Sequence, residues 1–173
     1  FDQFVDLPEN VGRSFELIDG EIIEKMPTQL HALIVAILTT ALMNFLRGSA
    51  LGWVLVEARY ALPGDTSNTC VPDLSFVRRE GRALVREGAA PYMPDLAVEV
   101  QSPGQSDKLM SDKAANYLAK GSRMVWLIYP DKRLVEVLTP TNRQLLTIED
   151  SLSGEDVLPG FVFSLRDLFT ESI

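Results

Sequence analysis

Scarcities bound this chain before any motif is read. It holds one cysteine, Cys70, so no disulfide can form within it, and the lone thiol suits a reducing compartment such as the cytoplasm. It holds one histidine, His31, and one Cys with one His cannot build a zinc site. Basic residues are the minority: 16 Lys and Arg against 24 Asp and Glu give a net charge of -8, which argues against broad electrostatic attraction to a polyanion. No apolar run has the length of a membrane span, since the richest, residues 30–42, is interrupted by Thr39 and Thr40. Residues 1–10 are polar and acidic, without the basic and apolar regions of a signal peptide; the chain opens at Phe1, so native residues before it are expected. There is no Gly-rich phosphate loop and no Gly-x-Ser-x-Gly turn, which leaves P-loop, dinucleotide and serine-hydrolase chemistry without support.

What is present is ordinary globular material, 46% hydrophobic and 23% charged, with no internal repeat or low-complexity tract. A chain of this length buries roughly 70% of its unfolded surface and needs no covalent or metal staple. One domain over residues 1–173 is the expectation.

Taken in order, Asp19-Gly20 between the alternating runs 14–18 and 21–25 predicts a β-hairpin, because both turn residues need φ > 0. Thr28 reads as the N-cap of a helix over 29–47, stopped by Gly48. Residues 53–62 and 71–77 read as strands, and 78–94, rich in glycine and proline, as a long connection. Residues 96–101 are almost wholly apolar apart from Glu99, as in a strand covered on both faces. Ser106 caps a helix to about residue 120, where Gly121 ends it. A buried strand at 124–129, strands at 133–138 and 144–149, and a short helix at 165–169 follow. The order is that of a mixed α/β sheet with helices on its faces and an N-terminal hairpin.

Two acids stand where packing does not ask for them. Asp73 lies in Val71-Pro72-Asp73-Leu74-Ser75-Phe76-Val77, and Glu99 in Asp95-Leu96-Ala97-Val98-Glu99-Val100-Gln101. A carboxylate on a buried strand is costly unless it is paired or binds a cation. Glu99 and Gln101 share one face of their strand, since side chains alternate. If Asp73 faces the same way on the neighbouring strand, the two carboxylates converge into a site of the kind Mg²⁺ prefers, completed by waters and substrate phosphate oxygens. The competing reading pairs each acid with an arginine or places it at a strand edge. Lys113 falls two turns into the second helix, on the stripe of Met110 and Tyr117, from which it can orient water and offset phosphate charge; a solvated lysine is the alternative. Gln101 can hydrogen-bond water but carries no charge. Arg78, Arg79, Arg82 and Arg86 suggest backbone contacts at the mouth of the site, or a solvated face with Glu80 and Glu87 between them. Glu16, Glu21 and Glu57 are candidates for a third acidic ligand, and His31 suits a polar core or cap role.

Pro72-Asp73 followed by Glu99-Val100-Gln101 resembles the PD-(D/E)XK nuclease signature. Over nearly the whole chain an ordered set is similar to the bacterial Uma-two (Uma2) family of restriction-endonuclease-type proteins. The set runs through Phe15-Glu16-Leu17-Ile18-Asp19-Gly20-Glu21, His31, Val71-Pro72-Asp73-Leu74 and Val98-Glu99-Val100-Gln101-Ser102-Pro103. It continues with Lys113, Tyr117, Gly121 and Trp126-Leu127-Ile128, and closes with Gly154-Glu155-Asp156-Val157-Leu158-Pro159-Gly160-Phe161. The resemblance implies a restriction-endonuclease-like αβββαβ core and Mg²⁺-dependent phosphodiester hydrolysis, with Mn²⁺ as a substitute. It implies a nucleic-acid partner, DNA, and a homodimer, since cutting both strands takes two sites. Asp73 and Glu99 become the metal ligands, alongside the Val100 carbonyl. Gln101 replaces the signature lysine, and Lys113 becomes its migrated substitute. That departure sustains a second expectation: a non-catalytic nucleic-acid- or protein-binding member of the same fold.

Overall fold

The computed structural model describes residues 4, 7–11, 13–18, 21–25, 27–64 and 69–170. Strands β1 (Ser14–Ile18) and β2 (Glu21–Lys25) come first, then α1 (Gln29–Phe45), β3 (Gly52–Val56), β4 (Tyr60–Ala61), β5 (Thr69–Cys70), β6 (Leu74–Arg78) and β7 (Leu96–Val100). Helix α2 (Asp107–Ala119) follows, then β8 (Met124–Tyr129), β9 (Leu134–Leu138), β10 (Arg143–Leu146), β11 (Ser151–Ser153), β12 (Val162–Ser164) and α3 (Leu165–Leu168). The main sheet has six strands in the order β10-β9-β8-β7-β6-β3. In chain order α1, β3, β6, β7, α2 and β8 make the expected αβββαβ core, and β9 and β10 extend it. Strands β1 and β2 pair antiparallel and join β5 and β4 in a smaller sheet. The expected turn at Asp19-Gly20 and the side chains of Glu16 and Glu21 lie outside the described residues.

Each helix starts where a side chain replaces a missing backbone partner. Thr28 Oγ1 accepts from His31 N at 3.2 Å, and Ser106 Oγ accepts from Leu109 N at 3.1 Å. Helix α1 then buries His31, Ile34, Leu38 and Leu42, one stripe at helical spacing. The apolar members of that stripe pack against Leu74, Phe76, Leu96, Val98, Trp126 and Ile128 of the sheet. Helix α2 buries Met110, Ala114 and Tyr117 against Val77, Ala97, Val125 and Leu127, the alternate residues of the same strands. Strand β7 is therefore covered on both sides, and all five of its residues are buried. Helix α2 is also the crossover that lets β7 and β8 run parallel, while the other pairs of this sheet are antiparallel. Gly121 ends α2 with φ +115, a backbone conformation that favours glycine.

Two strand expectations are corrected. The run 53–62 does not continue as one strand: Glu57 takes φ 50, which breaks the ladder and sends β4 into the smaller sheet. The run 71–77 becomes β6 only from Leu74, because Pro72 has no N–H to give a ladder, and Asp73 is left at the strand's entrance. Strand β3 is the sheet edge beside it, and Gly52 there permits a close approach: an added Cβ would collide with the Val77 carbonyl oxygen and the Phe76 ring. Gly52→Ala should cost about 1–3 kcal/mol by overpacking. Met43→Ala, on the exposed side of α1, should stay within about 0.5 kcal/mol. Urea unfolding of both variants checks this, and equal midpoints would contradict the packing described.

Candidate active site

Asp73 is 1% exposed, and its burial is made tolerable by donors from two directions. The Gln101 N–H reaches the Ile128 carbonyl of β8 at 2.8 Å, so the preceding N–H, that of Val100, is turned the other way, toward β6. Ladder pairing between β6 and β7 ends at Leu74, and Asp73 Oδ2 accepts from Val100 N at 2.7 Å in its place. The same oxygen lies 3.0 Å from His31 Nε2, delivered by the first turn of α1. The carboxylate thus closes the ladder and ties a helix to it.

Glu99 is 2% exposed and is served from the opposite face. Lys113 Nζ donates to Oε2 at 3.0 Å, and Tyr117 OH donates to Oε1 at 2.5 Å. Lys113 and Tyr117 are one turn apart on α2, so the helix presents both donors to one carboxylate. The expected approach of Lys113 to an acid is present, and its side chain is only 9% exposed.

The register relates the two acids. Phe76 faces Leu96, Ser75 faces Ala97 and Leu74 faces Val98, so the next step sets Asp73 across from Glu99. On the other side Val56 faces Leu74, and one step further Glu57 N donates to the Asp73 carbonyl at 3.2 Å. Glu57, Asp73 and Glu99 thus occupy one row at the same end of three adjacent strands. A groove of about 440 Å³ runs along α1 over this end, lined by His31, Val35, Thr39, Val56, Glu57 and Asp73 among others. Among the described residues, Glu57 is a candidate for a further acid that shares the groove with Asp73.

The donor set suits a hard divalent cation in kind. Mg²⁺ takes carboxylate oxygens and keeps several waters, and the carboxylates of Asp73 and Glu99, at facing register positions but engaged from opposite faces of the sheet, would supply the protein's part. Among the described residues no group of three or more His, Cys, Asp or Glu is arranged to hold an ion, so the remaining positions would fall to water and substrate oxygens.

Gln101 is turned to a different task. Its amide donates to the Gln105 carbonyl and to Asp107 Oδ1, each at 3.0 Å, and so braces the turn into α2. The Lys132 ammonium, and after it the Gln101 amide, hold the Asp107 carboxyl below its ordinary value. Arg78, Arg79 and Arg82 do not stand at the mouth of the site. Arg78 ends β6, five residues or about 16 Å from Asp73 along the strand. Its N–H and Arg82 Nη1 both bond Asp95 Oδ2, at 2.8 and 2.6 Å, while Arg79 lies over the Trp53 ring, 4.9 Å from its centroid. These contacts fasten the long connection to the far end of the sheet.

Sequence reasoning passed over the work of His31 and Tyr117. A signal was available for both. His31 heads the stripe of Ile34, Leu38 and Leu42, so it must face the sheet, where a polar ring needs a partner. Tyr117 sits four residues after Lys113 on the buried stripe, and a phenol so placed needs an acceptor.

Comparison with known proteins bears on the fold and the family. Among curated proteins no sequence matches the chain. The fold is similar to that of a crystal structure described as "a putative nuclease belonging to DUF820" from Anabaena variabilis ATCC 29413. The two share 24% sequence identity, with 97% of this chain and 96% of that one covered and a TM-score of 0.82; at that identity the likeness is one of fold. The model of the Uma2 family, described as "Putative restriction endonuclease", matches residues 1–166, and with the match extending over nearly its whole length the chain belongs to the Uma2 family.

Proposed function

We propose that this chain is a metal-dependent endonuclease that hydrolyses phosphodiester bonds of DNA. One observation carries the reading: two buried acids occupy facing positions at one end of β6 and β7, and a buried ammonium is 3.0 Å from one of them. Asp73 and Glu99 would hold Mg²⁺, or Mn²⁺ in its place. When bound, such a cation supplies a water of lowered pKa and neutralises charge on the phosphate.

The chain's own residues supply the rest. Lys113 is kept at Glu99 by its bond to Oε2, where its charge would orient the attacking water and oppose the negative charge that grows on the phosphate. Tyr117 fixes the other Glu99 oxygen, so the acid holds one orientation. Gln101 occupies the usual lysine position without a charge, and its bonds to Gln105 and Asp107 steady the turn from which α2 carries Lys113 inward. With a net charge of -8, affinity for DNA would rest on the site and its cation rather than on the general field. A homodimer would bring the two sites that a double-strand cut requires.

A second reading, a nucleic-acid- or protein-binding member of this fold without turnover, is favoured by a specific feature: both Glu99 oxygens already have donors within the chain. Cleavage of plasmid and single-stranded DNA with Mg²⁺ and Mn²⁺ separates the two. The nuclease reading expects activity that EDTA abolishes, that falls about 10²-fold or more in Lys113→Ala, and that is lost in Glu99→Ala. Activity equal in all preparations would be that of a contaminant and would end the reading. Thermal melting gives an independent check. Mn²⁺ at a hundred times its dissociation constant should raise the wild-type midpoint by about 5–10 °C and leave Asp73→Asn unmoved. An equal rise in both would place the cation elsewhere.

A further inference from the structure

His31 is the one histidine of the chain, and it lies where the proposed site and the first helix meet. It is 5% exposed, it heads the buried stripe of α1, and its Nε2 is 3.0 Å from Asp73 Oδ2. That oxygen also accepts from Val100 N at 2.7 Å. A single hydrogen bond leaves a carboxylate free to swing about it. Two donors on one oxygen, one fixed in a strand and one fixed in the helix packed on the sheet, leave it little rotation. A histidine that served only to attach α1 would duplicate Ile34, Leu38 and Leu42, which already pack that helix on the sheet. Nor would attachment require it to line the groove, which it does together with Asp73 and Glu57.

We propose that His31 is a positioning residue for a divalent cation held by Asp73: it acts through the carboxylate, setting the direction in which Asp73 presents oxygen to the ion. The inference rests on the reading of Asp73 as a cation ligand. Partners of this kind, which hold a ligand rather than the metal, are worth about 10- to 100-fold in metal affinity. The imidazole has the reach for this and the amide of glutamine has a similar one, whereas asparagine is too short and leucine offers no donor.

The test is calorimetric titration of Mn²⁺ into the full chain, as wild type, His31→Leu, His31→Asn and His31→Gln, with a melting curve for each. The expected result is a dissociation constant raised about 10-fold or more in His31→Leu, and largely restored in His31→Gln. If His31→Leu does not fold, His31→Asn takes its place with the same weakening expected. Wild-type binding with an unchanged constant in the Leu or Asn variant overturns the role of His31 and leaves the nuclease reading standing. Equal weakening in His31→Gln and His31→Leu also overturns it, since packing of α1 would then be the cause. Absence of Mn²⁺ binding by the wild type overturns the cation reading of Asp73 and this inference with it.

Discussion

Two carboxylates buried at the end of a sheet are the constraint on which the rest of this structure turns. Asp73 and Glu99 are 1% and 2% exposed, and an ionised carboxylate so far from water is costly by several kcal/mol unless it is compensated. The compensation is divided between the two faces of the sheet. Helix α1 brings His31 to Asp73, and helix α2 brings Lys113 and Tyr117 to Glu99. The main chain adds Val100 N. Had stability alone been at issue, apolar residues at both positions would serve as well or better. The acids and their donors therefore make sense as a site.

The same constraint explains local features that otherwise look incidental. Pro72 stops the ladder one residue early, so that Asp73 stands at the strand entrance and its side chain, not its backbone, meets Val100. The caps at Thr28 and Ser106 fix the first turns of both helices, and with them the approach of His31 and the phase of Lys113. The parallel pairing of β7 and β8 requires a crossover, and α2 is that crossover, which is why the segment after the Glu99 strand can return over it and bring a helical lysine to Glu99. A lysine delivered from a helix in place of one two residues along the strand is a rearrangement that this topology permits without altering either acid.

Much of this was legible in the residues. Periodicity and caps located both long helices, and the uninterrupted apolar run from Met124 to Tyr129 located the buried strand. Glu99 was conspicuous because nothing about a doubly covered strand calls for an acid. Less was legible wherever the answer depended on which end of a strand a residue occupies. Arg78, Arg79 and Arg82 follow Asp73 closely in sequence, yet an extended strand carries them about 16 Å away, where Asp95 and Trp53 engage them. The break at Glu57 carried no turn signal, since glutamate seldom adopts positive φ. Partners across the fold, His31 for Asp73 and Tyr117 for Glu99, are matters of tertiary placement; sequence fixes only the face of the helix on which each must lie.

The central claim is that Asp73 and Glu99 together address one divalent cation. Anomalous diffraction at the manganese edge, from a crystal of the wild-type chain soaked in MnCl₂, tests it most directly. The account predicts a peak within coordination distance, about 2.2 Å, of a carboxylate oxygen of each residue. A manganese peak bound elsewhere in a well-ordered crystal, with the carboxylates still engaged by His31, Val100, Lys113 and Tyr117, would contradict it.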